Sequence, residues 1–70
     1  NLHQAITQLP ESCRKVFLLA YFQGLSNPEI AQELNISINT VRSHKSNGLK
    51  ILRSHLDLET FMAFTVIMAS

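Results

Sequence analysis

Two helix-start signals close together in the middle of the chain limit its fold more than any other feature. Ser26-Asn27-Pro28-Glu29 has the form of a capping box, with Ser26 at the N-cap and Glu29 three residues on. Pro28 falls in the first turn, where its missing N–H is harmless. Ile30, Ala31 and Leu34 give this short helix one buried face. It is expected to stop near Asn35, a residue that tolerates the left-handed conformation. Ser37 is then a second good N-cap, so only Asn35 and Ile36 separate two capped helices. A link that short forces a sharp corner and predicts a helix-turn-helix. Ala31 is small where the helices cross, and Ile36 is expected to plug the core beneath them.

The second helix of the pair is predicted to run from the Ser37 cap to about Leu56. Val41, Gly48, Leu49, Leu52 and Leu56 form its apolar stripe. Asn39, Ser43, Ser46, Asn47 and Lys50 lie opposite, with Arg42 and Arg53 on the flank. Of the six Lys and Arg residues in the chain, Arg42, Lys45, Lys50 and Arg53 fall here, and no Asp or Glu does. Many surface helices carry several cations to no purpose, so a basic face alone is only a footprint. A basic, amide-rich helix placed after a capped helix and a tight turn says more. In that motif the second helix enters the major groove of DNA with its N-terminal residues toward the base edges.

The residue types assign expected roles. Asn39, Arg42, Ser43 and Ser46 are candidates for base readout, with Arg42 foremost. Thr40, Lys50 and Arg53 are candidates for phosphate contact. Ser26 and Asn27 are expected to aim helix N-terminal amides at a phosphate. Lys45 falls inside the apolar stripe and is expected to snorkel to its edge and reach a phosphate. Gly48, costly in mid-helix, is expected to allow close helix contact.

Two helices precede the pair. Leu2, Ala5, Ile6 and Leu9 give a short amphipathic helix that Asn1 can cap and Pro10 ends; His3 lies on its polar side. The next helix is expected to run to about Gln23, with Gly24 as its left-handed stop. Cys13, Val16, Phe17 and Ala20 form one stripe, and Leu18, Leu19, Tyr21 and Phe22 make it apolar nearly all round. Such a helix sits in the middle of the fold or offers a second apolar face to another protein, for which Leu18 and Phe22 are the candidates.

Residues 57–70 carry no charge after Glu59. Asp57 is placed to cap a fifth helix with Leu58, Phe61, Met62 and Thr65 on one side, although Thr65–Met68 is also β-prone. A tail this apolar is expected to pack on the domain, on a second copy in a dimer, or on a partner. The expected architecture is therefore all-α: a small four- to five-helix domain over residues 1–56, containing the helix-turn-helix, followed by the apolar tail. Seventy residues suit one domain that buries about 60% of its unfolded surface. A net charge of +1 predicts weak DNA binding by this piece alone.

Other classes receive little support. No spacing pairs a Ser or Cys nucleophile with a base, and there is no glycine-rich phosphate loop or metal-ligand cluster, so neither an enzyme nor a cofactor is expected. Cys13 is the one cysteine and is expected in the core, in keeping with a reducing cytoplasm. The apolar runs are too short to span a bilayer. The chain starts at Asn1 rather than Met and is expected to be a domain of something longer.

In order along the chain, Ala5-Ile6…Leu9-Pro10, Arg14, Val16-Phe17, Leu19, Gly24-Leu25-Ser26, Glu29-Ile30-Ala31, Leu34, Ile36-Ser37, Thr40-Val41, Leu49-Lys50 and Leu52-Arg53 resemble region 4 of bacterial RNA polymerase sigma factors of the extracytoplasmic function (ECF) type. The resemblance covers roughly Leu2 to Leu56. It implies a domain that binds the −35 promoter element, docks on the flap of the polymerase β subunit, and is often held inactive by an anti-sigma protein. By position it puts DNA contacts at Asn39, Arg42, Ser43, His44, Ser46 and Asn47, and it alone gives His44 and Asn47 a phosphate role; relatives are often more basic at some of these. A LuxR-type response-regulator domain is the rival: it shares Gly24-Leu25-Ser26-Asn27, Glu29-Ile30-Ala31, Ser37, Thr40-Val41 and His44. Its usual Leu-Thr-x-Arg-Glu opening is missing from Leu9-Pro10-Glu11-Ser12-Cys13.

Overall fold

The computed structural model describes residues 2–68, with the side chains of residues 3–66. The expected Asn1 cap lies outside the described residues. Five helices follow in order: α1 (Leu2–Thr7), α2 (Glu11–Tyr21), α3 (Asn27–Leu34), α4 (Ile38–Leu52) and α5 (Leu58–Met68). All the regular structure among the described residues is helical, as the periodicity predicts.

Local chemistry sets the corner between α3 and α4. The capping box of α3 is complete: Ser26 N–H donates to Glu29 Oε1 at 2.8 Å, and Glu29 N–H donates to Ser26 Oγ at 3.3 Å. At the other end Asn35 is left-handed, with φ 57° and ψ 47°. Ile36 N–H reaches back to Ala31 O at 3.0 Å, and Asn35 N–H to Gln32 O at 3.3 Å. These are the paired reverse bonds of a Schellman stop, with Ile36 tucked against the core as that motif favours. One residue later Ser37 Oγ accepts Thr40 N–H at 3.0 Å and starts α4. The stop of α3 and the cap of α4 thus pair backbone groups on both sides of the corner.

α2 is the spine of the fold. Its Val16, fully buried, closes the core of the helix-turn-helix with Ile30, Ala31 and Val41, and Leu34 and Ile36 pack around them. The neighbouring Phe17, also fully buried, belongs to a second cluster with Ala5, Ile6, Leu9, Cys13, Leu52 and Phe64. Burying each such side chain contributes about 1.5–3 kcal/mol. One helix thus braces the α3–α4 pair from behind while α1 and α5 cover its other side. Gly48 fulfils its expected part: it is buried in α4 against the Phe17 ring, where even a methyl has no room.

The helix ends depart from the periodicity. α2 stops at Tyr21, short of the expected Gln23, although Gly24 is left-handed as expected (φ 67°). Leu25 N–H folds back to Leu19 O at 3.1 Å and takes the place of the last helical turn. α4 stops at Leu52, not Leu56. Ser54 N–H and its Oγ both bond Ile51 O, and His55 N–H bonds Leu52 O, which closes the helix in tight turns.

Asp57 caps α5, accepting Thr60 N–H on Oδ1 at 2.8 Å. The residues of α5 that face the domain differ from the expected side. Phe64 is 2% exposed, with its ring stacked on Phe17 at 5.6 Å and tilted against Tyr21 at 5.2 Å. Phe61 and Thr65 flank it half-buried, while Leu58, Met62 and Val66 point outward. With apolar residues on most of its sides, α5 has its rotation set by this aromatic contact.

Candidate nucleic-acid interface

α4 turns Val41, Lys45, Gly48 and Leu52 inward and leaves the opposite side open. Asn39, Arg42, Ser43, Ser46, Asn47 and Lys50 are exposed along it, and Arg53 is exposed directly beyond its last turn. This is the predicted polar face. The cationic side chains stand on a surface with no carboxylate of its own helix, since α4 contains none. The amides and hydroxyls between them offer both donors and acceptors, the mixture that base edges require.

The predicted flank is tighter. Thr40 and His44 are half-buried. The Thr40 hydroxyl lies 2.8 Å from Ser37 Oγ, so it belongs to the cap of α4 as well as to the rim of the face.

Two expectations need correction. Lys45 does not reach the edge of the polar face: it is 8% exposed within the buried stripe. With Tyr21, Leu25, Ser26 and Glu29 it lines a cleft of about 420 Å³ between the end of α2 and the start of α3. Burial lowers its pKa below the ordinary lysine value. Its periodic position prevailed over its charge, because the stripe is fixed by Val41 and Leu52 on either side.

The start of α3 also offers fewer amides than expected. Ser26 and Glu29 N–H are consumed in the capping box, and Pro28 has none. Asn27 N–H is what remains of that turn for a phosphate. The exposed Glu29 carboxylate already occupies the positive end of the helix, and its bonds from Ser26 lower its pKa. Asn27 itself is half-buried, with Oδ1 buried and unpaired.

The candidate partner residues separate. Phe22 is 53% exposed at the end of α2, with its ring edge-on to His3 (5.9 Å) and Tyr21 (5.0 Å). Leu18 is half-buried against the second core cluster. Sequence reasoning passed over Ile38, 40% exposed in the first turn of α4. It also passed over Val66, the most exposed large apolar residue of α5 among the described residues. Among the described residues no cluster of His, Cys, Asp or Glu is placed to hold a metal ion, and no helix is long and apolar enough to cross a membrane.

The fold and this face define a helix-turn-helix domain whose second helix is basic and acid-free on its open side. The family model described as Sigma-70, region 4 matches residues 1–52, and the chain belongs to that family. This decides between the two resemblances in favour of the sigma factors. The chain is 35% identical over 58 residues to the ECF RNA polymerase sigma factor SigX of Bacillus subtilis (strain 168), covering 83% of this chain and 30% of that protein. It is 38% identical over 56 residues to SigW of the same organism, also an ECF sigma factor, covering 80% of this chain and 30% of that protein. SigV, an RNA polymerase sigma factor of that organism, is 32% identical over 59 residues, covering 84% and 36%. The chain thus spans about a third of the length of these relatives. No solved structure gives a significant match.

Proposed function

We propose that this domain binds the −35 element of a promoter as part of a bacterial sigma factor that directs RNA polymerase to start transcription. The observation that carries the reading is the acid-free exposed face of α4, held outward behind the left-handed corner at Asn35. Its relatives are named as sigma factors, and the family match includes the elements that build this face. Asn39, Arg42, Ser43 and Ser46 read base edges in the major groove. Lys50 and Arg53 neutralise phosphates, with His44, Thr40 and Asn47 at the rim and Asn27 N–H contributing from α3. No step of this function is chemical, and the domain is not an enzyme.

The test is a binding comparison on cognate and scrambled duplexes at fixed salt. Arg42→Ala is expected to cost about 1–3 kcal/mol on the cognate site and to relax discrimination at one position. If it binds both duplexes as the parent does, Arg42 is not a base-reading residue.

Docking on polymerase core goes with this reading, and the exposed Phe22 ring supports it. The β flap is the proposed contact, and the factor works in the cytoplasm where the polymerase is. The outward row Leu58, Met62 and Val66 on α5 supports a second apolar contact, with an anti-sigma protein or with another copy of the chain. Charge reversal at Arg42 would leave such protein contacts intact, whereas Phe22→Ala would weaken docking.

A further inference from the structure

Among the exposed positions of α4, Ile38 is the one apolar residue; every other is polar or cationic. We infer that Ile38 reads the 5-methyl group of a thymine in the bound site, and so sets specificity at one base pair. The inference rests on the proposed promoter binding and adds a residue and a base to it.

Ile38 is the first residue of α4, directly after the Ser37 cap. In a helix-turn-helix the N-terminal residues of the second helix approach the base edges most closely. Ile38, Arg42 and Ser46 follow one another at i, i+4 and i+8, so Ile38 continues the row proposed to read bases. The backbone beneath it is fixed, because Ser37 Oγ holds Thr40 N–H at 3.0 Å and the Thr40 hydroxyl at 2.8 Å. A β-branched side chain in a helix keeps essentially one χ1 rotamer, so little freedom is lost when it packs. At 40% exposure much of the side chain faces water and stands ready to be covered. In the major groove the apolar feature on a base edge is the thymine C5-methyl; cytosine offers a donor nearby, and the purines offer N7 and polar groups. An isoleucine there packs against thymine and would strand polar groups of the other bases without partners.

The experiment uses the full-length factor with polymerase core on the duplex it selects best from a randomised pool. Each thymine of that site is replaced in turn by deoxyuridine, which lacks the methyl and keeps every hydrogen-bonding group. One replacement is expected to weaken parent binding by about fourfold, the loss of one buried methyl. Ile38→Ala should bind thymine and uracil equally at that position, and Ile38→Val should keep part of the difference. Uracil tolerated at every position, or a thymine preference undiminished in Ile38→Ala, overturns the inference while promoter binding stands. No preference for the selected duplex over a scrambled one overturns the promoter reading, and the inference falls with it.

Discussion

Gly48→Ala separates two physical effects of opposite sign. On helix propensity alone, alanine in the interior of α4 would stabilise the domain by about 1 kcal/mol. The surroundings reverse the sign. A Cβ at Gly48 would lie 2.5 Å from Phe17 Cε1 and 2.7 Å from Cζ, about 0.9 Å short of the 3.4 Å at which ordinary contact begins. The Phe17 ring has nowhere to retreat, being fully buried and stacked on Phe64. Overpacking of this kind costs about 1–3 kcal/mol, and a ring confined on both sides argues for the upper half of that range. The net expectation is a destabilisation of about 1–2 kcal/mol. In a domain this size each kcal/mol moves Tm by about 4–8 °C. Urea unfolding followed by circular dichroism measures it, with the midpoint falling and the slope unchanged. Phe17→Leu in the same background should recover part of the loss, giving a coupling above about 0.5 kcal/mol in the double-mutant cycle. A Gly48→Ala domain more stable than its parent, or strict additivity with Phe17→Leu, would refute the close packing of α2 on α4.

The remaining expectations concern α4 itself. Lys45→Met should raise stability by at most about 1 kcal/mol, since it removes a partly desolvated cation that lines the cleft beside the start of α3. In the parent, burial holds the folded-state pKa of Lys45 below the ordinary lysine value, so the unfolded chain binds more protons between the two. Stability should therefore rise with pH through that interval and the rise should vanish in Lys45→Met; a loss of DNA affinity instead would restore Lys45 to the phosphate contacts. Lys50→Gln and Arg53→Gln should each flatten the slope of log affinity against log salt by about 0.9, and an unchanged slope removes that residue from the interface. Ser37→Ala should cost about 1 kcal/mol in thermal unfolding, because Thr40 N–H loses its acceptor at the start of α4.

The helix-turn-helix was legible because its signals are short-range. Ser26 with Glu29, Asn35 and Ser37 each satisfy backbone groups within three to five residues of themselves, so residue type nearly dictates local geometry. The exposed face of α4 followed, since Val41 and Leu52 fix the stripe and the stripe fixes its opposite. Where several residues compete for one role, the sequence was ambiguous. Leu56 continues the period of α4, yet Ser54 and His55 close the helix earlier and Asp57 starts another. Two stop signals and a restart outweigh one apolar residue in register.

α5 marks the limit of what a pattern can carry. Its residues after Glu59 are uncharged and mostly apolar, so the pattern singles out no one side for burial. What selects one rotation is a shape elsewhere in the fold: Gly48 leaves room for the Phe17 ring against α4, and Phe64 stacks on that same ring. The outward position of Leu58, Met62 and Val66 is thus a consequence of a glycine in the reading helix. The same glycine sets how deeply α4 seats against α2, and so how far Arg42 and Ile38 stand out from the domain. Gly48→Ala should then alter two readouts together, the burial of Phe64 and the affinity for cognate DNA. If stability falls while both of these are unchanged, α5 is positioned independently of the α2–α4 contact.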